Sequence, residues 1–394
     1  MPLWYSAGAK KEHISVITAA GIFDTSHMGA ITISGHEAFD LLQLCFSKDL
    51  RTCLGGGKAP LQSGRCAYGV FLNERGETID DAILYQLKEE HYLLVVNSGM
   101  SPAVSDHLKT YAESRVVDVT DITDRMAKID LQGPKSVEIL AKILQQHDSV
   151  LRDMVYFSFK GGFDETAGFS GIPISGGKEI MVSRTGYTGE IGFELLVNPS
   201  DAPAVWEMLL EAGKEDNLLF CGLAARDSLR AGALLPLSQQ DIGPWPYINH
   251  PWQFTLPFNA EKSGFTKKFI GDVVLQLRDT ADHTLAFAGY DPRKVSLQDA
   301  VVLDASGNRI GAVLTCVADL AIGRVDTRIY SLASPDKPDG FNPLGLCCGF
   351  VKVHDRLPPG TRVTLQDKRR NIPVDIVSDI RPNRTARRPM RDFL

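Results

Sequence analysis

The stretch Ser183-Arg184-Thr185-Gly186-Tyr187-Thr188-Gly189-Glu190-Ile191-Gly192-Phe193-Glu194 concentrates side chains able to do chemistry. Three glycines and two threonines surround a tyrosine, and two carboxylates follow. Glycine permits tight turns and close approach of the backbone to a ligand. Tyr187 can stack on a flat ring, and Glu194 can accept hydrogen bonds from the edge of one. Such a pocket suits a planar, nitrogen-rich molecule. A Gly-rich hairpin between two strands accounts for the same residues equally well.

Other candidates are more scattered. Asp24, Ser26 and His27 invite a hydrolase reading, but no G-x-S-x-G elbow accompanies them. Arg226 and Arg230 are four apart and share one helical face; they serve either to orient a carboxylate or as structural ion-pair partners. The seven cysteines include no CxxC, and no His/Cys cluster has zinc spacing, so no metal is expected. The odd count favours reduced thiols. Cys347 and Cys348 fall in an apolar, strand-like run, which points them to opposite faces as buried thiols.

These side chains need positioning elements. Residues 30–34 and 91–97 read as strands, as do 67–72 and 83–87, joined through a turn-rich linker at 73–76. Residues 35–45, 102–114 and 133–144 read as helices, with Pro102 near a first turn. The Pro-rich region 235–268 lacks periodicity and reads as loops near a site. After about Leu277 short strands alternate with turns, as a small β-barrel would. The pattern gives a mixed α+β chain with a β-rich tail. At 394 residues two or three domains are expected. There is no apolar run of about 20 residues to span a bilayer and no signal-peptide pattern, so a cytoplasmic enzyme without a membrane role is expected. A net charge of −6 argues against a dedicated nucleic-acid binder.

The signature at 183–194 resembles that of the aminomethyltransferase family, the T-protein of the glycine cleavage system. Five further segments are similar to that family in the same order: Gly21-Ile22-Phe23-Asp24-Thr25-Ser26-His27-Met28-Gly29, Val95-Val96-Asn97-Ser98-Gly99, Leu131-Gln132-Gly133-Pro134, 222–230, and Phe269-Ile270-Gly271. The resemblance implies three subdomains in a cloverleaf, with a folate-binding region at 1–276 in two interwoven subdomains and a C-terminal β-barrel at 277–394. It implies tetrahydrofolate as cofactor, a lipoyl carrier protein as partner, and transfer of an aminomethyl carbon with release of ammonia. Glu194 matches the glutamate that grips the pterin edge, Tyr187 packs near the ring, Arg226 matches an arginine near the folate, and Tyr85 is a further aromatic candidate. The segment at 24–29 becomes a structural lining of the central opening. The basic tail (Arg381, Arg384, Arg387 and Arg388 among others) becomes either a solvated end or a contact for the folate glutamate or an acidic carrier.

The resemblance also implies a carboxylate close to the pterin. The family places it seven residues after the asparagine of Val-Val-Asn. Here that position is Val104, and Asp106 follows two residues later. A two-residue insertion before the helix keeps Asp106 on the pocket; a helix in register turns it about 200° away. Residues 238–257, with Trp245, Tyr247, His250 and Trp252, depart from the family pattern and are expected to reshape the opening where the donor enters. Two alternatives therefore stand beside the aminomethyltransferase: a tetrahydrofolate-dependent demethylase of a small S-, O- or N-methyl donor, and a non-catalytic folate-binding protein.

Overall fold

The computed structural model describes residues 1–57, 59–113, 115–163, 170–277 and 281–394. Two sheets face each other, each backed by helices, and a closed barrel follows. The first sheet has the order β12-β1-β7-β11-β10-β8, with β9 added beside β10. Its strands are β1 (Ala20–Asp24), β7 (Ala127–Gln132), β8 (Phe159–Lys160), β9 (Ile172–Ile174), β10 (Lys178–Ser183), β11 (Gly192–Val197) and β12 (Leu218–Phe220). The second sheet has the order β3-β4-β5-β2-β6, from β2 (Gly29–Ser34), β3 (Arg65–Leu72), β4 (Thr78–Lys88), β5 (His91–Val96) and β6 (Asp118–Asp121).

Strand alternation sorts the side chains into layers. On β7, Ala127, Ile129 and Leu131 join Phe193, Leu195 and Val197 of β11 in a core beneath the helices α4 (Ser136–Ile143), α5 (His147–Leu151) and α6 (Ala202–Gly213). On β5, Leu94 and Val96 pack with Leu41 and Leu42 of α2 (Ala38–Cys45) and with Val104 and Leu108 of α3 (Ser101–Ala112). Pro102 stands in the first turn of α3, where its missing N–H costs nothing. The end of the helix expected at residue 114 lies outside the described residues. Between the sheets, Leu93 and Val95 meet Tyr85, Met181 and Leu196. Each fully buried aliphatic side chain here contributes about 1.5–3 kcal/mol. That inter-sheet layer ends where β7 and β11 turn polar side chains toward it.

The C-terminal barrel closes in the order β13-β18-β15-β14-β19-β20. It is built from β13 (His283–Ala288), β14 (Val301–Leu303), β15 (Arg309–Asp319), β18 (Leu346–Val353), β19 (Arg362–Gln366) and β20 (Asn371–Val377), with a hairpin of β16 (Ile322–Val325) and β17 (Arg328–Ser331) beside it. Cys347 and Cys348 are both fully buried and belong to different cores, as alternation requires. The observed α+β architecture with a closed barrel matches the fold that the resemblance implies.

The helices α1 (Ala9–Thr18) and α7 (Leu223–Gly232) join the first sheet to the barrel, while the short α8 (Asp272–Leu275) precedes it. A buried chain of polar groups crosses that seam. His13 bridges Ser228 Oγ at 2.8 Å and Asp319 Oδ1 at 2.9 Å, and Asp319 also receives Arg381 at 2.7 Å. The arrangement has the residue types of a hydrolytic triad, but His13 and Asp319 are wholly buried and no substrate reaches them. Its work is to tie α1, α7 and β15 together.

The tail beyond the barrel is docked through Arg381, Thr385 and Met390, while Arg387 and Arg391 stay exposed. Thr385 Oγ1 donates to Glu190 at 2.6 Å and accepts from the Ile191 amide at 2.8 Å, and the Ala386 amide donates to the Gly189 carbonyl. Arg381 reaches the Thr188 carbonyl, and Arg184 reaches back to the Arg388 carbonyl. Among the described residues no helix is long and apolar enough to cross a membrane.

Candidate functional site

The signature loop spans the turn from β10 to β11, and its glycines make room for Gln132 at the end of β7. A Cβ on Gly186 would sit 2.1 Å from Gln132 Oε1, and one on Gly192 would sit 2.5 Å from it. Gln132 Nε2 donates to the Thr185 and Phe193 carbonyls at 3.2 and 3.1 Å, and Thr188 Oγ1 donates to Gln132 Oε1 at 3.2 Å. The two motifs, Leu-Gln-Gly-Pro and Thr-Gly-Tyr-Thr-Gly, are therefore halves of one packed unit. Close approach to a buried amide, not to a ligand, is what Gly186 and Gly192 provide.

That unit presents Tyr187. Its hydroxyl donates to the Pro236 carbonyl, and the Arg226 guanidinium lies 4.8 Å from the ring centroid. Burial raises the Tyr187 phenol above its ordinary value, so it stays protonated. Arg226 is held in turn by Asp130 at 3.0 Å.

Behind Arg226 the strands carry buried charge. Lys128 and Asp130 alternate with Ile129 on β7, and both face away from the helix-backed core. Lys128 Nζ lies 2.5 Å from Asp130 Oδ1, 2.5 Å from Glu194 Oε1 and 3.2 Å from Thr25 Oγ1. The Thr185 hydroxyl donates to the other Glu194 oxygen. Two cations and two carboxylates thus form a neutral buried tetrad. Burial pushes the Asp130 carboxyl up, but Lys128 and Arg226 outweigh it and hold it below the usual range. Tyr85 stands beyond this group, edge-on to Phe159 at 5.3 Å. Its hydroxyl is buried near Ser183 and Thr185 without a hydrogen bond of normal geometry.

A cavity of about 550 Å³ opens beside Tyr187 and Arg226. Its far wall holds His27, Asn97, Met100 and Asp80, and Leu237, Ser238 and Gln239 close it from the segment after α7. Leu3 and Leu223 give it an apolar rim. Burial and then the Arg226 charge lower the His27 pKa, so this imidazole is neutral near pH 7. Asn97 fixes the wall. Its Nδ2 donates to Asp80 Oδ1 at 2.8 Å and Asp81 Oδ1 at 2.6 Å, and its amide donates to Asp80 Oδ2 at 2.9 Å.

The structure brings Tyr187 and Arg226 onto the cavity and connects Glu194 to them through Lys128 and Asp130. Tyr85 shares the inter-sheet layer but does not line the cavity. Asp106 is corrected: it is exposed on α3, it does not line the cavity, and Thr110 Oγ1 bonds its carbonyl at 2.8 Å. The reason is helix register. α3 starts at Ser101 without a bulge, so Val104 turns into the core and Asp106 turns outward. Of the segment 238–257, Ser238 and Gln239 line the cavity, whereas Tyr247 and Trp252 are buried between the second sheet and the barrel. Sequence reasoning missed Lys128 and Asp130, whose signal was polar alternation through a strand of Ile and Leu. It also missed Asp80 and Asp81, adjacent acids just before Ala82-Ile83-Leu84.

A planar ring fits the cavity by size. The cavity falls within the range of about 300–1,000 Å³ usual for ligand sites. Glu194 is 4% exposed and lies outside the lining, with Lys128 and Thr185 each engaging one of its oxygens.

Residues 1–246 match the family model described as the GCVT N-terminal domain. An aminomethyltransferase of Corynebacterium aurimucosum is 38% identical over 283 residues, 71% of this chain and 69% of that one. An aminomethyltransferase of Saccharopolyspora erythraea is 32% identical over 385 residues, 96% of this chain and 90% of that one. Among solved structures, the glycine cleavage system aminomethyltransferase T from Bartonella henselae superimposes with a TM-score of 0.74 at 27% identity, covering 98% of this chain and 92% of that one.

Proposed function

This chain belongs to the GCVT family of aminomethyltransferases, and on that premise we propose that it transfers the aminomethyl carbon of a lipoyl carrier protein to tetrahydrofolate, with release of ammonia. The observation that carries this reading is the cavity wall of Tyr187 and Arg226 backed by the buried Glu194 carboxylate. When bound, tetrahydrofolate supplies the nucleophilic nitrogen that takes up the carbon.

The chain's own residues bind and orient. The Tyr187 ring, pinned through its hydroxyl to Pro236 and covered by Arg226, offers a rigid face for the pterin. Glu194 accepts the donor edge of the aminopyrimidine, and Lys128 holds that side chain in place within the sheet layer. Tyr85 supplies a buried hydroxyl behind it. The carrier's arm enters across Leu3 and Leu223, whose exposures of 59% and 40% suit an aliphatic chain. Most of the work is holding two reactants in one orientation.

Tetrahydrofolate should raise the melting temperature of the wild-type protein by mass action. Glu194→Ala should remove most of that rise. An equal rise in the variant would take Glu194 out of the site; no rise in the wild type would remove folate from the proposal.

A further inference from the structure

Gln239 holds its backbone at φ 62°, in the left-handed region that favours glycine. Among the described non-glycine residues with positive φ, it is the one that lines the cavity. Such a conformation costs free energy and persists only where the surroundings impose it. Here they do so from three sides. The Asp241 carboxylate, wholly buried, takes Thr315 Oγ1 of β15 at 2.7 Å, the Leu237 amide at 3.0 Å and the Arg230 guanidinium. The Pro236 carbonyl accepts the Tyr187 hydroxyl from the signature loop. The Thr78 amide donates to the Gly243 carbonyl at 3.1 Å. Residues 236–243 are thus clamped to β15, to the signature loop and to the start of β4, and Gln239 stands inside the clamped span.

Its side chain is held as firmly as its backbone. Gln239 Nε2 donates to the Ile79 carbonyl at 2.8 Å and to the Thr78 carbonyl at 3.4 Å. Both partners are acceptors, so the nitrogen end of the amide is fixed on that side, and Oε1 is turned away from those carbonyls. Among the described residues nothing donates to Oε1, and Gln239 is exposed within the lining. The neighbouring polar groups are committed elsewhere. Asp227 is engaged by Arg230 at 2.8 Å, the Tyr187 hydroxyl by Pro236, and Asn97 Nδ2 on the far wall by two carboxylates.

We propose that Gln239 selects an aminomethyl donor, its Oε1 accepting an N–H of the amino group carried on the transferable carbon. The proposal rests on the one-carbon transfer reading above and names a residue for the donor's amino group, which that reading left without one. The amino group is what distinguishes an aminomethyl thioether from a methyl thioether, and it offers N–H donors. Arg226 and Arg230 on the lining are donors only and cannot accept from it. A carboxylate would hold the amine as an ion pair; a neutral amide oxygen orients it and lets it depart as ammonia. The clamped loop keeps that oxygen in place before the donor arrives, so little freedom is lost on binding. A methyl donor would displace water from Oε1 and give it no partner, which a site built around such an acceptor penalises.

The test uses the full chain with tetrahydrofolate and a lipoyl carrier, either loaded with the aminomethyl group or unloaded. Wild-type folate binding and turnover are measured first; absence of either overturns the functional reading and this inference with it. Given turnover, Gln239→Ala, which keeps the backbone and removes the amide, is expected to raise KM for the loaded carrier about tenfold, the scale of one neutral hydrogen bond. Affinities for tetrahydrofolate and for the unloaded carrier should not change. Gln239→Gly should show the same rise in KM with a melting temperature equal to or above that of the wild type, because glycine adopts φ 62° without strain. A purely structural Gln239 would not tell the loaded carrier from the unloaded one. A wild-type KM in Gln239→Ala overturns the inference alone, and so does an equal loss of affinity for both forms of the carrier. If Gln239→Ala does not fold, Gln239→Gly decides on the same criteria.

Discussion

Lys128 Nζ lies 2.5 Å from Glu194 Oε1, and each side chain is at most 5% exposed. This buried acid, which stands behind the cavity and not on its lining, is thus held by an internal cation. Two buried charges that satisfy each other are tolerated; one left alone is not. Lys128→Met removes the shared counter-charge of Glu194 and Asp130, leaving Arg226 alone to balance two acids. The variant should lose about 3–5 kcal/mol in urea unfolding. A loss below about 1 kcal/mol would mean that water reaches the tetrad.

The outward position of Asp106 predicts that Asp106→Asn turns over within about twofold of the wild type, as surface substitutions away from special features usually do. Steady-state kinetics at saturating tetrahydrofolate provide the check. A large fall in kcat would return the carboxylate role to α3.

Burial alone would raise the Asp319 carboxyl, but Arg381 and His13 outweigh it and hold it well below the usual range. A depressed folded-state value contributes stability that is fully present above the unfolded value of about 3.9 and is lost as pH falls below it. The urea midpoint of the wild type should therefore drop from about pH 4 downward. Asp319→Asn should be less stable at pH 7, where it strands Arg381, and should show a shallower acid decline. Parallel pH profiles for the two proteins would contradict the seam described here.

Gly186→Ala places a methyl group against the Gln132 carboxamide and should cost about 1–3 kcal/mol. Gly264→Ala, whose new methyl would meet nothing closer than 3.9 Å, serves as the matched control. Equal melting temperatures for both variants would show that Gln132 moves aside freely.

Much of this was legible in the sequence, for identifiable reasons. The signature at 183–194 and Leu131-Gln132-Gly133-Pro134 are local strings, and one contact through Gln132 explains why they occur together. The β-rich tail announced itself through short strands between turns, and it closes into a barrel. Asp106 was misplaced because a helical carboxylate depends on the residue at which the helix begins, and that start is set by packing of Val104 and Leu108. Tyr247 and Trp252 were misread because aromatic residues in a loop-rich segment look alike whether they line a cavity or fill a core. Lys128 and Asp130 had a visible alternation, but its meaning required knowing which face of β7 the helices cover.

The clasp formed by Arg381, Thr385 and Ala386 over residues 188–191 has an outcome for the polypeptide as a whole. Every barrel strand is complete by Val377. A product cut short soon afterwards would lose the brace on the outer side of its Tyr187 loop and would leave Asp319 of β15 buried without Arg381. In such a truncated form, grip on a ligand and cohesion of the seam would weaken together.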